Sequence, residues 1–349
     1  MDDLFSDALR QLLEDQCTPQ VVRAVEAGES GEFGEAGGES AARLWRHIED
    51  SGFADVLVPE DQGGAGLKLP DVFPLLELCG TYAVPLPLGD TMLARGILAD
   101  AGLARPAGSI ALSRATRGAD GRLVCAVVPA GYLANWILTS RGTQWLLLDT
   151  RQAERSQAVS RLDATLSWPW PAGVADDGDA AAPDADGGHD LLALQACVCA
   201  AQLSGALMNV FQRTLQYANE RQQFGRPIGK FQAIQHQLSV ISEHAFAARM
   251  AARIGCLAEG IIPDRLRVAV AKARTSEAAL EVAGLAHSIH GAIGFTEEFD
   301  LQLFTRRLHL WRQAGGSESC WQAVLGEELV DASEGLALDL LRELTDIRQ

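Results

Sequence analysis

The stretch from Asn219 to Gln235, NERQQFGRPIGKFQAIQ, leaves the backbone few paths. The residues before it, Leu203, Ala206, Leu207, Val210, Phe211, Thr214, Leu215 and Ala218, repeat at intervals of three and four, the period of a buried helix face. Phe224-Gly225 and Pro227 break that period. Proline has no N–H to donate and its ring fixes φ, while Gly225 and Gly229 can take positive φ, so a sharp turn is predicted before Phe231 opens a second apolar period. A helix end, a corner and a new helix are thus expected around one arginine, Arg221.

Two chemistries suit Arg221 in that setting. Its guanidinium fork matches a phosphate or pyrophosphate, with Phe224, Ile228 and Phe231 able to flank a purine, which would make the corner a dinucleotide clamp. Alternatively, the arginine caps a helix C-terminus beside a core phenylalanine. The pattern R-x-x-F-G-x-x-I-x-x-F-Q-x-x-Q resembles the signature of the acyl-CoA dehydrogenase family. That resemblance implies that Arg221, Phe224, Ile228, Phe231 and Gln232 hold the ADP half of an FAD bound to a neighbouring subunit.

With 349 residues and 48% hydrophobic content, the chain can bury the cores of two or three domains. A net charge of −17 argues against nucleic acid or an anionic membrane as partner, because both need compensating cations. The seven cysteines are odd in number and lack CxxC spacing, which suits reduced thiols better than disulfides or zinc. Cys197 and Cys199 sit two apart on a predicted helix and point to different faces. No signal peptide and no apolar run of membrane-spanning length are read, so a cytoplasmic, soluble protein is expected.

Four segments follow from the patterning. Residues 1–106 read as a helical domain, with Leu4, Leu9, Leu12 and Leu13 on one face, then Val21, Val22 and Val25 on a second helix. An acidic glycine-rich loop is expected over Gly28–Gly37, then a helix over Ser40–Glu49. The motif G-F-x-x-x-x-V-P-E-x-x-G-G-x-G from Gly52 to Gly66 reads as a tight loop before a helix that Leu69 or Asp71 starts and that carries Glu77. It also resembles the family's N-terminal helical domain. Residues 107–172 hold short apolar runs, Ile110–Leu112, Leu123–Val128, Trp136–Thr139 and Trp145–Leu148, which read as strands of a small β-sandwich or barrel. Residues 173–190 are Asp-, Ala- and Gly-rich and read as a flexible linker with no calcium-loop pattern. Residues 191–349 return to long helices: Leu191–Glu220, Phe231–Glu259, Asp264–His290, Phe299–Trp311 and a last one from Ser317 or Glu318. Long helices with short joins make a four-helix bundle. The predicted class is α+β, in the order helical domain, β-domain, bundle, which is the architecture implied by the resemblance.

A second corner, His290 to Thr296, ends the third bundle helix with Gly291 and Gly294 flanking small and apolar residues. It reads either as close backbone approach to a ligand or as a simple helix C-cap. It is similar to the family's Q-I-x-G-G-x-G-F segment, which meets the FAD pyrophosphate and ribitol. Ser288 stands where the glutamine is usual and Ala292 where the second glycine is. His290 reads as structural. In the β-domain, the family's flavin-facing strand motif is reduced to Ala111-Leu112-Ser113-Arg114-Ala115, where Ser113 keeps one hydroxyl.

The resemblance implies α,β-dehydrogenation of an acyl-CoA: a carboxylate takes the α-proton, the β-hydride goes to the flavin, and an acceptor such as electron-transfer flavoprotein takes the electrons. In the commonest family pattern the base opens an E-G-T segment, and here Ala314-Gly315-Gly316 occupies it. In other members the base lies on the first long bundle helix, and here Gln195 stands there. Neither alanine nor glutamine accepts a proton. Gly316 and Glu318 resemble flavin-contacting positions. Glu220, Glu243 and Glu297 read as acids on solvated or salt-bridged faces. The combination suggests a base-lacking subunit paired with a catalytically equipped homologue on a steroid-type CoA ester. A self-sufficient homo-oligomer with a nonstandard base, or a non-enzymatic scaffold, are the alternatives. No metal site is read.

Overall fold

The computed structural model describes residues 2–27, 35–141, 144–158, 160–171, 190–332 and 337–345. In chain order these form α1 (Asp2–Gln16), α2 (Pro19–Ala27), α3 (Glu35–Asp50), α4 (Leu69–Thr81) and α5 (Leu88–Asp100). Seven strands follow: β1 (Ile110–Leu112), β2 (Thr116–Arg117), β3 (Leu123–Val128), β4 (Trp136–Arg141), β5 (Gln144–Asp149), β6 (Glu154–Gln157) and β7 (Ala164–Trp168). The rest is α6 (Leu191–Glu220), β8 (Gln222–Gln223), β9 (Arg226–Pro227), α7 (Gln232–Gly255), α8 (Arg265–His290), α9 (Leu301–Gln313), α10 (Glu318–Glu327) and α11 (Ala337–Thr345). The chain forms two compact units, Met1–Lys68 with Val84–Gln195, and Leu69–Ala83 with Ala196–Gln349.

In the first unit, α1, α2 and α3 bury Leu9, Leu13, Val22, Val25, Leu44 and Ile48. Arg95 of α5, almost fully buried, donates to Glu49 Oε1 at 2.5 Å, Asp55 Oδ2 at 2.7 Å and the Gly108 carbonyl at 3.1 Å. The Gly108 N–H donates back to Glu49 at 3.0 Å, so one ion cluster fixes the entry into β1. Burial pushes the Glu49 carboxyl up, but the Gly108 N–H and Arg95 outweigh it and hold it below the ordinary range. The strands form two sheets, ordered β1-β4-β5 and β2-β3-β7-β6, with β1 parallel to β4 and the other pairs antiparallel. Ala111, Leu123, Cys125, Ile137, Leu166 and Trp168 from both sheets share one core, which makes the layer a small sandwich.

In the second unit, α8 packs against α7, α9 and α10, and α6 from Ala196 onward joins the bundle through Phe211 on Phe246 of α7 and Tyr217 on the end of α8. Alanines let α7 and α8 approach closely: a Cβ on Gly255 would stand 2.5 Å from that of Ala271. Asp264 caps α8 by accepting the Arg267 N–H at 2.9 Å. Helix α4 belongs to this unit. Gly80 and Gly205 bring it against α6 backbone to backbone, since a Cβ on Gly80 would meet the Gln202 carbonyl at 1.8 Å and one on Gly205 the Glu77 carbonyl at 1.9 Å. Glu77 then accepts two hydrogen bonds from Arg249, at 2.7 and 2.9 Å.

Several expectations change. Helix α3 starts at Glu35, so Glu35–Gly37 are not loop; the remainder of the predicted glycine-rich loop, 28–34, lies outside the described residues, as do residues 173–189 of the linker expected over 173–190. The second bundle helix ends at Gly255 rather than Glu259, and the fourth runs Leu301–Gln313 rather than Phe299–Trp311. Strands β2, β6 and β7 escaped notice because Glu154–Gln157 is polar at a sheet edge and gives no apolar run. Contrary to the reading that no apolar run is long enough to span a membrane, α6 is long and apolar enough; 89% of its most apolar window is buried, as in a core helix. None of the seven cysteines forms a disulfide, and the buried Cys197 and Cys256 thiols lie 3.5 Å apart.

Candidate functional site

The Arg221 corner is a two-residue hairpin. β8 pairs antiparallel with β9, and Phe224 (φ 51°) and Gly225 (φ 80°) both take positive φ, the backbone of a type I′ turn. Glycine takes that conformation freely; phenylalanine does so under strain. The strained side chain is thrown into solvent, 91% exposed. Phe231 meets it edge to face at 6.0 Å between ring centres, and the Arg226 guanidinium lies 4.2 Å from the Phe231 ring centre. The Arg221 N–H closes α6 on the Tyr217 carbonyl at 2.8 Å, and its own carbonyl accepts from Ile228 N–H at 2.8 Å. Its side chain is exposed and makes no hydrogen bond or ion pair among the described residues. Ile228 is buried under the turn, and Gln232 opens α7 exposed.

Helix α8 ends at Gly291, whose φ of 65° and ψ of −146° are open only to glycine. Gly291, Ala292 and Ile293 are exposed, while Gly294 is buried and tightly surrounded: a Cβ there would lie 3.0–3.1 Å from His290, His287 and Leu301. Ser288 accepts from Gln237 Nε2 of α7 at 3.4 Å. His290 is buried, stacks on Tyr217 at 4.3 Å and binds the Ala286 carbonyl through Nδ1 at 2.8 Å, as befits a structural residue. Burial pushes both His290 and His287 below the ordinary imidazole range. Tyr217, which the sequence did not flag, joins the two corners by that stack and by donating to the His290 carbonyl at 3.4 Å. Arg221, Phe224, Phe231, Gln232, Ser288, Gly291, Ala292 and Gly294 therefore share one end of the bundle.

Gly316 and Glu318 are not with them. The α9–α10 loop carrying Ala314 packs near Lys272, 18 residues before His290 on α8, which is about 27 Å along a helix. Glu318 is taken up in an ion pair with Arg312. Burial alone would raise its carboxyl, but the Arg312 hydrogen bond and charge hold it below the ordinary range. Glu220, Glu243 and Glu297 are exposed. In the first unit, Gln195, the other position at which the resemblance leads one to expect a base, donates its amide to the Leu112 carbonyl at 3.2 Å. The Leu112 N–H in turn donates to Asp90 at 3.1 Å, a buried carboxyl that desolvation pushes up to about 7. Ser113, next along, is buried, and its hydroxyl donates to the Arg114 carbonyl at 3.3 Å. Asp90 and Lys272 were missed. The signal available was a single charge inside an otherwise small or apolar stretch of helix.

Residues 190–329 match the family model described as acyl-CoA dehydrogenase, C-terminal domain. The chain is 31% identical over 314 residues to the acyl-CoA dehydrogenase IpdE2 of Mycolicibacterium smegmatis, covering 88% of this chain and 92% of that one. A variant of the Tcur3481–Tcur3483 steroid ACAD superposes with a TM-score of 0.74 at 27% identity, covering 93% and 96% of the two chains. The ChsE4–ChsE5 complex of Mycobacterium tuberculosis shares the fold at a TM-score of 0.75, 20% identity, and coverage of 95% and 98%. This chain belongs to the acyl-CoA dehydrogenase family, oxidoreductases that act on acyl-CoA with FAD as cofactor. The bundle end fits that cofactor: an uncommitted guanidinium, two aromatic rings and a bare glycine backbone suit a pyrophosphate and an adenine.

Proposed function

We propose that this chain is the base-lacking subunit of a heteromeric acyl-CoA dehydrogenase, paired with a homologous chain that brings the catalytic glutamate. The substrate class we assign is a bulky, steroid-type CoA thioester. The observation that carries the reading is the state of the two base positions: Ala314 has nothing to titrate, and the Gln195 amide is committed to the Leu112 carbonyl. The Tcur3481–Tcur3483 steroid ACAD, named for two proteins and for a steroid, supports the pairing and the substrate class.

When bound, FAD supplies the hydride acceptor of the α,β-dehydrogenation. Arg221 would hold its pyrophosphate, Phe224 and Phe231 its adenine, and the Gly291–Ile293 backbone would lie against the same chain of phosphates. These groups bind and orient; they move no proton, and in this reading the proton goes to the partner's carboxylate. Electrons pass on to an acceptor such as electron-transfer flavoprotein, and the assembly works in the cytoplasm.

The test is to purify the chain alone and together with a co-encoded homologue. Bound flavin and turnover with an artificial electron acceptor are expected from the mixture only. Turnover by the lone chain would overturn the reading in favour of a self-sufficient enzyme. A mixture without flavin would leave a scaffold.

A further inference from the structure

The loop between α9 and α10 is held by side chains that grip its backbone and by one ion pair. Lys272 of α8 is fully buried, and a buried ammonium is tolerated only when its protons are placed. Here all three are: Nζ donates to the Arg312 carbonyl at 2.8 Å, the Gly316 carbonyl at 2.8 Å and Ser276 Oγ at 3.0 Å. The two carbonyls lie on either side of Ala314. Between them, the Gly315 carbonyl accepts from the Trp321 indole at 2.8 Å. Gly315 (φ 66°) and Gly316 (φ 91°) supply the backbone this path needs, and a Cβ on Gly316 would lie 2.8 Å from the Trp321 ring nitrogen. The Arg312–Glu318 ion pair closes the loop from outside.

A methionine of similar volume would fill the Lys272 site without the cost of burying a charge. What the charge adds is direction, since it aims two carbonyls and so fixes everything between them. None of these contacts involves the side chain at 314.

We propose that Lys272 is a positioning residue of the dehydrogenase, setting the path of residues 312–316 and the start of α10 whatever side chain stands at 314. The loop's shape is thereby kept although its side chain no longer carries a base. The catalytic part of this inference rests on the function proposed above; the positioning part does not. Desolvation pulls the ammonium down to about 8, opposed by Cys199 of α6 and by Glu318 and Cys320 of α10, and aided by Arg312 of α9. A neutral Lys272 keeps two N–H groups for the two carbonyls and a lone pair for the Ser276 hydroxyl, so an opening that hydrates the side chain becomes harder as pH rises from about 8 toward 10.5.

Hydrogen exchange on the full chain tests the positioning. Lys272→Met should speed exchange over 313–320 about tenfold, the factor a lost hydrogen bond to a charged group carries, with the α6 and α7 amides unchanged. In the unsubstituted chain, exchange over 313–320, corrected for intrinsic base catalysis, should slow as pH rises from about 8 toward 10.5, and Lys272→Met should lack that slowing. Unchanged exchange in the loop, or acceleration spread evenly over the chain, would overturn the proposal. If Lys272→Met fails to fold, Ser276→Ala, which removes one acceptor, is read the same way with a smaller local change. In the mixed complex, Lys272→Met should lower kcat with KM unchanged; an unchanged kcat removes the catalytic part. Absence of flavin in the unsubstituted mixture refutes the proposed function instead and leaves the exchange results to decide the positioning.

Discussion

Gln195 donates its side-chain amide to the carbonyl of Leu112, 3.2 Å away, and so ties the start of α6 to the end of β1. A carboxylate at 195 would turn that donor into a second acceptor facing the first. Gln195→Glu should therefore destabilise the chain by about 1–3 kcal/mol at pH 8, as an unmatched buried carbonyl does. A protonated glutamate can donate again, so the penalty should shrink toward pH 4. Urea melts across that range check it, and a penalty independent of pH would show that the hydrogen bond is not its source.

Asp90 grips the same peptide from the other side, accepting the Leu112 N–H at 3.1 Å. Burial raises its carboxyl from 3.8 to about 7, so the folded chain holds this proton more tightly than the unfolded chain does. Its contribution to stability is fully present below about pH 4 and is lost as pH rises through about 7. Asp90→Asn keeps an acceptor for Leu112 and cannot ionise. Its Tm relative to the unsubstituted chain should climb between those limits and level off above them; a flat difference would contradict the assignment.

Phe224 sits at φ 51° and is 91% exposed, its ring meeting Phe231 edge to face but otherwise open to solvent. Phe224→Gly should relieve the turn and stabilise the hairpin by about 1 kcal/mol, the order of cost of a non-glycine residue in the left-handed region. If the ring lies against the adenine of FAD, the same substitution should weaken flavin binding in the mixed complex. Thermal melts and flavin titration are thus expected to move in opposite directions. Unchanged flavin affinity would remove Phe224 from the cofactor site.

Gly80 and Gly205 set how closely α4 approaches α6, each with a carbonyl under 2 Å from where a Cβ would be. Gly80→Ala and Gly205→Ala should each cost at least about 1–3 kcal/mol through forced separation of the helices. Because one displacement relieves both clashes, the double substitution should cost less than the sum. Additive losses in urea melts would mean that the two contacts are independent.

Much of the fold could be read in advance because it rests on local periodicity. Leu203 to Ala218 and the alanine-rich run of α8 give helices whatever surrounds them, and Pro227 and Gly225 force the corner. The edge strand Glu154–Gln157 was illegible because a polar, half-solvated strand leaves no pattern, and only its pairing with β7 makes it a strand.

The candidate site divides in the same way. Sequence alone determined which chemical groups are present: Arg221 and its aromatic neighbours at one corner, Gly291 and Gly294 at another, and no carboxylate at Ala314 or Gln195. Tertiary structure alone decided that Tyr217 joins those two corners, that the Ala314 loop packs far along α8 from them, and that Lys272 and Asp90 are buried ionisable groups with fixed partners. The physical reason is that residue identity fixes what a side chain can donate or accept. Whether it is dehydrated, and which distant carbonyl it meets, depends on segments brought together from far along the chain, as with Lys272 and Gly316.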